Sequence, residues 1–130
     1  KKINFLDHYI WWFSNKKRES YLVSKNHQKL LYIYETFFKY NNTNYVYPGW
    51  IACRKNLSIL DILWALNWQK KNIDKYCKNI ICIISTSKKN IFSNQHVKYL
   101  GYKPLLENSE NLRKKLVLNN NFNLYYRIIS

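Results

Sequence analysis

Ser85-Thr86-Ser87-Lys88 holds the densest chemistry in the chain, and the stretch around it, Ile80 to Lys89, reads I-I-C-I-I-S-T-S-K-K. A serine three residues before a lysine is the spacing of the nucleophile in penicillin-recognising enzymes. That chemistry also needs S-D-N and K-T-G elements, and both are missing, so a serine acyl-transfer reading is set aside. A hydroxyl cluster flanked by lysines offers short donors, short acceptors and positive charge at one place. Phosphate and ribose groups need that mixture.

Other chemistry is sparse. His8, His27 and His96 are far apart. Cys53, Cys77 and Cys82 are an odd number without a C-x-x-C pair, and Cys77-x4-Cys82 has no histidine at finger spacing. Neither a metal site nor a disulfide framework follows, and a reducing compartment is expected. Gly49 and Gly101, the two glycines, lie outside any phosphate-cradling pattern, which excludes P-loop and dinucleotide fingerprints. The carboxylates Asp7, Glu19, Glu35, Asp61, Asp74, Glu107 and Glu110 give no cue for an acid–base pair. The reading is of a protein that is not an enzyme, with no catalytic residue, cofactor or metal.

Charge points to a partner. The 130 residues carry a net charge of +15, and self-repulsion on that scale opposes compaction unless a polyanion neutralises it. Nucleic acid is the first candidate and an anionic membrane surface the second. No apolar run approaches the roughly 18 residues of a membrane helix. Lys, Asn, Ile and Tyr make up 62 residues. Their codons are rich in A and T, so a biased genome explains them, and many asparagines are discounted as functional signals.

These residues need elements to position them. The spacing predicts a helix over residues 5–14, ended by Asn15-Lys16-Lys17-Arg18, either a solvated turn or an RNA contact. Tyr21 to Val23 reads as a strand. Ser24 reads as the N-cap of a helix from Lys29 to Tyr40, with Leu30, Ile33, Tyr34, Phe37 and Phe38 on one face. Tyr45 to Tyr47 reads as an edge strand stopped by Pro48-Gly49, and Trp50 to Cys53 as another strand. Ser58 and Asp61 resemble a capping box before a helix striped by Ile59, Ile62, Leu63 and Leu66, ending at Lys70–Asn72. Ile80 to Ile84 suits a strand buried on both faces. Ser93 reads as an N-cap, with Gly101 closing its helix. A helical tendency over Asn111–Leu118, a loop over Asn119–Asn123 and a closing strand over Leu124–Ile129 complete the chain.

With S-T-S-K after a buried strand and before a short helix ending in Gly101, the chain resembles the universal small-subunit ribosomal protein number eight family. Phe92-Ser93 stands at that family's hydrophobic-hydroxyl step, and Pro48-Gly49 and Leu60 to Trp64 fall in its order of elements. Lys89 replaces its glycine, and its closing G-G-E is absent. The resemblance implies an α+β fold of two small α/β lobes. Residues 1–47 would form the N-terminal lobe, 48–104 the RNA-binding lobe with strand, S-T-S turn and helix, and 105–130 an extension with a possible closing strand.

The function it implies is a structural constituent of a mitochondrial small ribosomal subunit. Its partners would be small-subunit rRNA, through the central domain, and neighbouring ribosomal proteins, with no membrane. The RNA contacts would be Ser85, Thr86, Ser87, Lys88, Lys89, Ser93, Asn94, Lys98, Lys103, Asn15, Lys16, Ser24 and Lys25. The alternative is a basic accessory subunit of a mitochondrial membrane or respiratory complex. A third reading is an intron-encoded nuclease or maturase fragment using Asp61 or Asp74.

Overall fold

A computed structural model describes residues 18–106 and 109–130. The helix expected over residues 5–14 lies outside them, as do Asn15 and Lys16. The chain runs β1 (Arg18–Lys25), β2 (Gln28–Tyr40), β3 (Thr43–Ala52), α1 (Ile59–Tyr76), β4 (Ile80–Ser87), α2 (Ile91–Tyr99), β5 (Lys103–Pro104), α3 (Ser109–Leu116) and β6 (Phe122–Ile129). The α+β class holds. One mixed sheet, in the order β1-β2-β3-β4-β6-β5, passes through all three segments of the chain.

The helix expected from Lys29 to Tyr40 is instead the long strand β2. Its apolar residues fall at helical spacing because both faces of the strand are apolar. Leu31, Ile33, Glu35 and Phe37 alternate with Tyr32, Tyr34, Thr36 and Phe38, so no polar face marks a period of two. Local turns settle the matter. Asn26-His27 and Asn41-Asn42 all take positive φ, from 47° to 63°. They close two-residue hairpins between the pairs Lys25↔Gln28 and Tyr40↔Thr43. Turns of this kind need a left-handed conformation at both central residues. With two glycines in the chain, asparagine and histidine supply it. Ser24 is therefore no N-cap; it lies in β1 beside an irregularity after Val23.

Pro48-Gly49 does not stop β3, which pairs with β2 from Thr43 to Ala52. Helix α1 starts after Ser58 as expected, but the Ser58 side chain makes no capping bond. Asp61 pairs instead with Lys25 at 3.2 Å. The helix continues past Asn72 to Tyr76 and buries Ala65, Gln69 and Ile73. Gln69 donates from Nε2 to the Tyr34 carbonyl at 3.1 Å, which satisfies a buried amide and ties α1 to β2.

Helices α1 and α2 cover one face of the sheet. Ile73 and Val97 pack there with Val46, Cys82, Tyr102, Tyr125 and Ile129. Helix α3 covers the other face, where Leu112 meets Ile83 and Leu124. On the first face Arg127 of β6 pairs with Asp74 of α1 at 2.6 Å, and Lys70 meets the same carboxylate at 2.9 Å. Asn90, not Ser93, caps α2: its side chain accepts from the Ser93 N–H at 3.0 Å. Gly101 ends the helix at φ 92°. The Tyr102 and Gly101 N–H groups bond back to Val97 and Lys98, the paired closure that glycine at this position permits.

Candidate functional site

Strands β3 and β4 are parallel and pair only at Tyr45↔Ile81 and Val46↔Cys82. Past that point they part. A cleft of about 420 Å³ opens between them, within the roughly 300–1,000 Å³ common for small-molecule sites. Proline suits the open edge of β3, because it has no N–H to offer a partner strand. Gly49 has a separate reason: a Cβ there would run into the Tyr34 ring. The bare backbone lets that ring lie across the strand.

The cleft is walled by Tyr47 to Trp50 on β3, by Ile84 to Thr86 on β4, by Ile62, Leu66 and Ile73 of α1, and by Phe92, Ser93, His96 and Val97 of α2. At its apex the Tyr47 hydroxyl and Ser85 Oγ are hydrogen-bonded across the gap. Burial pushes the Tyr47 phenol up, and the bond to Ser85 opposes this. Burial also raises Tyr34, with Tyr47 adding to it and Arg18 opposing. Both phenols keep their protons at neutral pH. On the helical wall His96 stacks on Phe92 with ring centroids 5.9 Å apart. Its Nε2 is buried without a hydrogen-bond partner, and burial lowers its pKa. A neutral imidazole is the form that accepts a proton.

The S-T-S residues belong to the end of β4 and not to a turn. Ser85 faces Tyr47. Thr86 is buried and donates to Asn94 Oδ1 at 2.7 Å. The same oxygen accepts from Asn123 at 2.8 Å and from the Tyr125 hydroxyl at 2.7 Å. Asn94 Nδ2 donates to the Ser87 and Asn90 carbonyls at 2.9 and 2.7 Å. Asn94 thus pins α2 to β4 and β6 and fixes one wall of the cleft. Ser93 lies on that wall. Lys88 and Lys89 are exposed in the turn after β4, Lys98 is exposed in the last turn of α2, and Lys103 is exposed in β5. Ser24 and Lys25 sit at the far end of β1. There Lys25, Arg54 and Ser58 line a second recess of about 290 Å³ at the start of α1. The structure therefore gathers Ser85, Thr86, Ser87, Ser93 and Asn94 and leaves the lysines apart.

Sequence reasoning missed Tyr34, Tyr47, Gly49 and His96 as cleft residues. Pro48-Gly49 inside an aromatic strand was the available signal, since the pair marks an edge with no neighbour.

No family model matches the chain, and no curated protein matches it. Solved structures do. One is an acetyl transferase from Salmonella typhimurium that modifies the N-terminal serine of the 50S ribosomal subunit protein L7/L12, at 16% identity and TM-score 0.60, covering 93% of this chain and 69% of that one. A second is the ribosomal L7/L12 alpha-N-protein acetyltransferase RimL in complex with coenzyme A, at 16% and 0.61, covering 92% and 67%. A third is the ribosomal-protein-S5-alanine acetyltransferase of Vibrio fischeri, at 12% and 0.63, covering 95% and 68%.

At these identities the likeness establishes the fold. It overturns the resemblance to the ribosomal protein family, because the fold is that of enzymes that modify ribosomal proteins. With the resemblance fall the structural role in a ribosomal subunit, the rRNA and ribosomal-protein partners, and the expectation of a chain outside enzyme chemistry. The S-T-S motif misled because a buried strand ending in hydroxyls also describes β4, where Thr86 is buried against Asn94 and Ser85 bonds Tyr47. The alternative of an accessory subunit of a membrane or respiratory assembly gains no support. Among the described residues no helix is long and apolar enough to cross a membrane.

Proposed function

We propose that this chain is an N-acyltransferase that moves an acetyl group from a coenzyme A thioester to a primary amine. The observation that carries the reading is the parting of β3 from β4, which leaves a cleft beside an unpaired strand edge. Fold alone does not name an activity, so the residues present must suit the cofactor. They do in two respects. The open edge of β3 presents backbone groups to an extended, amide-bearing arm, as a missing strand would. The first N–H groups of α1 are not occupied by the Ser58 side chain and lie beside Arg54 and Lys55, a donor set suited to phosphates. Asn56, at φ 59°, supplies the left-handed bend in that loop.

Coenzyme A, when bound, supplies the acetyl group as an activated thioester. The protein's own groups handle protons. His96 Nε2, neutral and facing the cleft, takes a proton from the incoming ammonium. Tyr47 Oη, held by Ser85 at the apex, keeps a proton available for a leaving sulfur. The boundary near residue 47 falls at this apex, and we read the parts of the chain before and after it as the two walls of one cleft. The acceptor class is an α-amino group, by analogy with the neighbours that act on N-terminal serine or alanine.

The test is thiol release from acetyl-coenzyme A in the presence of short peptides starting with serine or alanine, with product mass as a second readout. Tyr47→Phe should lower turnover about 100-fold, the lower range for loss of a proton-transfer group, with little change in cofactor affinity. Absence of both thiol release and coenzyme A binding at millimolar concentration would overturn the proposal.

A further inference from the structure

A further recess of about 700 Å³ lies on the other side of α1 from the acyl cleft, between that helix and strands β1 and β2. Its walls are Tyr21, Phe37, Trp68 and Tyr76, and its floor is Glu35 with Glu19 at the rim. Glu35 is 2% exposed, and its Oε1 is buried with no hydrogen-bond partner. Glu19 and Glu35 are directly opposed in the register of β1 and β2, so both side chains stand on one face of the sheet. Like charges in that position destabilise a strand pair, and a buried carboxylate with one oxygen unpartnered and only the Asn72 amide to bond it is costly. Yet this chain has seven acidic residues against 22 lysines and arginines. Placing two of the seven together, with no lysine or arginine among the described residues lining the recess, calls for a cation from outside.

The walls say what kind. Tyr21 meets Trp68 edge to face at 5.3 Å. Tyr21 also donates to Glu19 at 2.9 Å and accepts from Asn72 at 3.4 Å. Aromatic faces attract organic cations through the ring quadrupole, and the attraction grows when water is excluded. A hydrated metal ion would want several oxygen ligands, and rings supply none. A primary ammonium on a short alkyl stem meets both demands: it donates to the free Glu35 oxygen and packs its methylenes against the rings.

We propose that the recess between α1, β1 and β2 binds a primary alkylammonium, with Glu35 and Glu19 as its counter-charges and Tyr21, Trp68 and Tyr76 as its walls. This site is separate from the acyl cleft and does not depend on the reading of that cleft. The titratable groups lining the recess with Glu35 are Glu19 and Tyr21 from β1, Tyr76 from the end of α1 and Cys77 just after it.

The experiment titrates the whole chain with n-butylammonium at pH 7.5, without coenzyme A, and follows tryptophan fluorescence and binding heat. A saturable response is expected, with the fluorescence change absent in Trp68→Phe. Glu35→Gln should weaken binding at least tenfold while the circular dichroism spectrum stays unchanged, and Glu19→Gln should weaken it less. Equal binding of n-butanol, equal binding by folded Glu35→Gln, or no response up to millimolar ligand would each overturn the proposal. Should Glu35→Gln fail to fold, Glu19→Gln and the butanol comparison still decide.

Discussion

Replacing Glu35 by glutamine should make the protein more stable above neutral pH and leave it unchanged in mild acid. Burial is the main cause of the raised Glu35 pKa, with Glu19 adding to it and Asn72 opposing, and together they bring it from 4.5 to about 7. The folded state therefore holds a proton between these values that the unfolded chain has released. Where the folded state binds more protons, stability falls as pH rises. The favourable contribution is complete below pH 4.5 and is lost as pH climbs through 7. A rise of that size corresponds to roughly 3 kcal/mol at full ionisation, a large share of the ~5–15 kcal/mol that stabilises an ordinary domain. Glutamine keeps the shape and cannot ionise. Urea unfolding of both proteins at pH 5 and pH 8.5 isolates the effect, because titrating groups not coupled to Glu35 cancel in the difference. The two should lie within about 0.5 kcal/mol at pH 5, with the variant ahead by about 3 kcal/mol at pH 8.5. A difference that does not change with pH would refute the reasoning.

Two further outcomes follow from named contacts. Asn94→Ala removes five side-chain hydrogen bonds and leaves the buried Thr86 hydroxyl without its acceptor; at 0.5–1.5 kcal/mol each, less for the exposed ones, the loss should be about 3 kcal/mol, or roughly 10 °C in a thermal melt. A shift below about 2 °C would show that the hub is dispensable. Asn72→Lys places an ammonium inside the α1 recess, so it should abolish butylammonium binding and flatten the pH dependence that Glu35 confers, read as the difference between Asn72→Lys and the double variant with Glu35→Gln.

Much of the fold was legible where one residue type has one use. The β-branched run Ile80–Ile84 gave β4, and Gly101 marked the end of α2. Leu124–Ile129 gave β6, and the spacing from Ile59 gave α1. The long strand β2 was not legible, because its two faces are both apolar and the alternation that signals a strand is absent. Discounting asparagine as codon drift hid the hairpin at Asn26-His27 that would have corrected it; Asn26, Asn56 and Asn79 all hold positive φ. The cleft was half legible. Ser85, Thr86, Ser93 and Asn94 were singled out for their hydroxyl and amide groups, and they do converge. Their direction was not readable, since a one-residue change of register would exchange Ser85 and Thr86 between the two faces of the sheet.

The acidic residues carry the last step. Asp61 has Lys25, and Asp74 has both Lys70 and Arg127. In a chain so rich in lysine a carboxylate finds a cation easily, and chance alone would pair Glu35 as well. Its isolation is a matter of geometry. Among the described residues, those that line its recess beside Glu19 are aromatic rings, Ile73, Asn72 and Cys77, and none of them is cationic. A neutral residue at position 35 would remove the conflict with Glu19 and lose nothing in packing, since glutamine fills the same space. On the proposal made above, the carboxylate is kept for a positive charge that enters the recess.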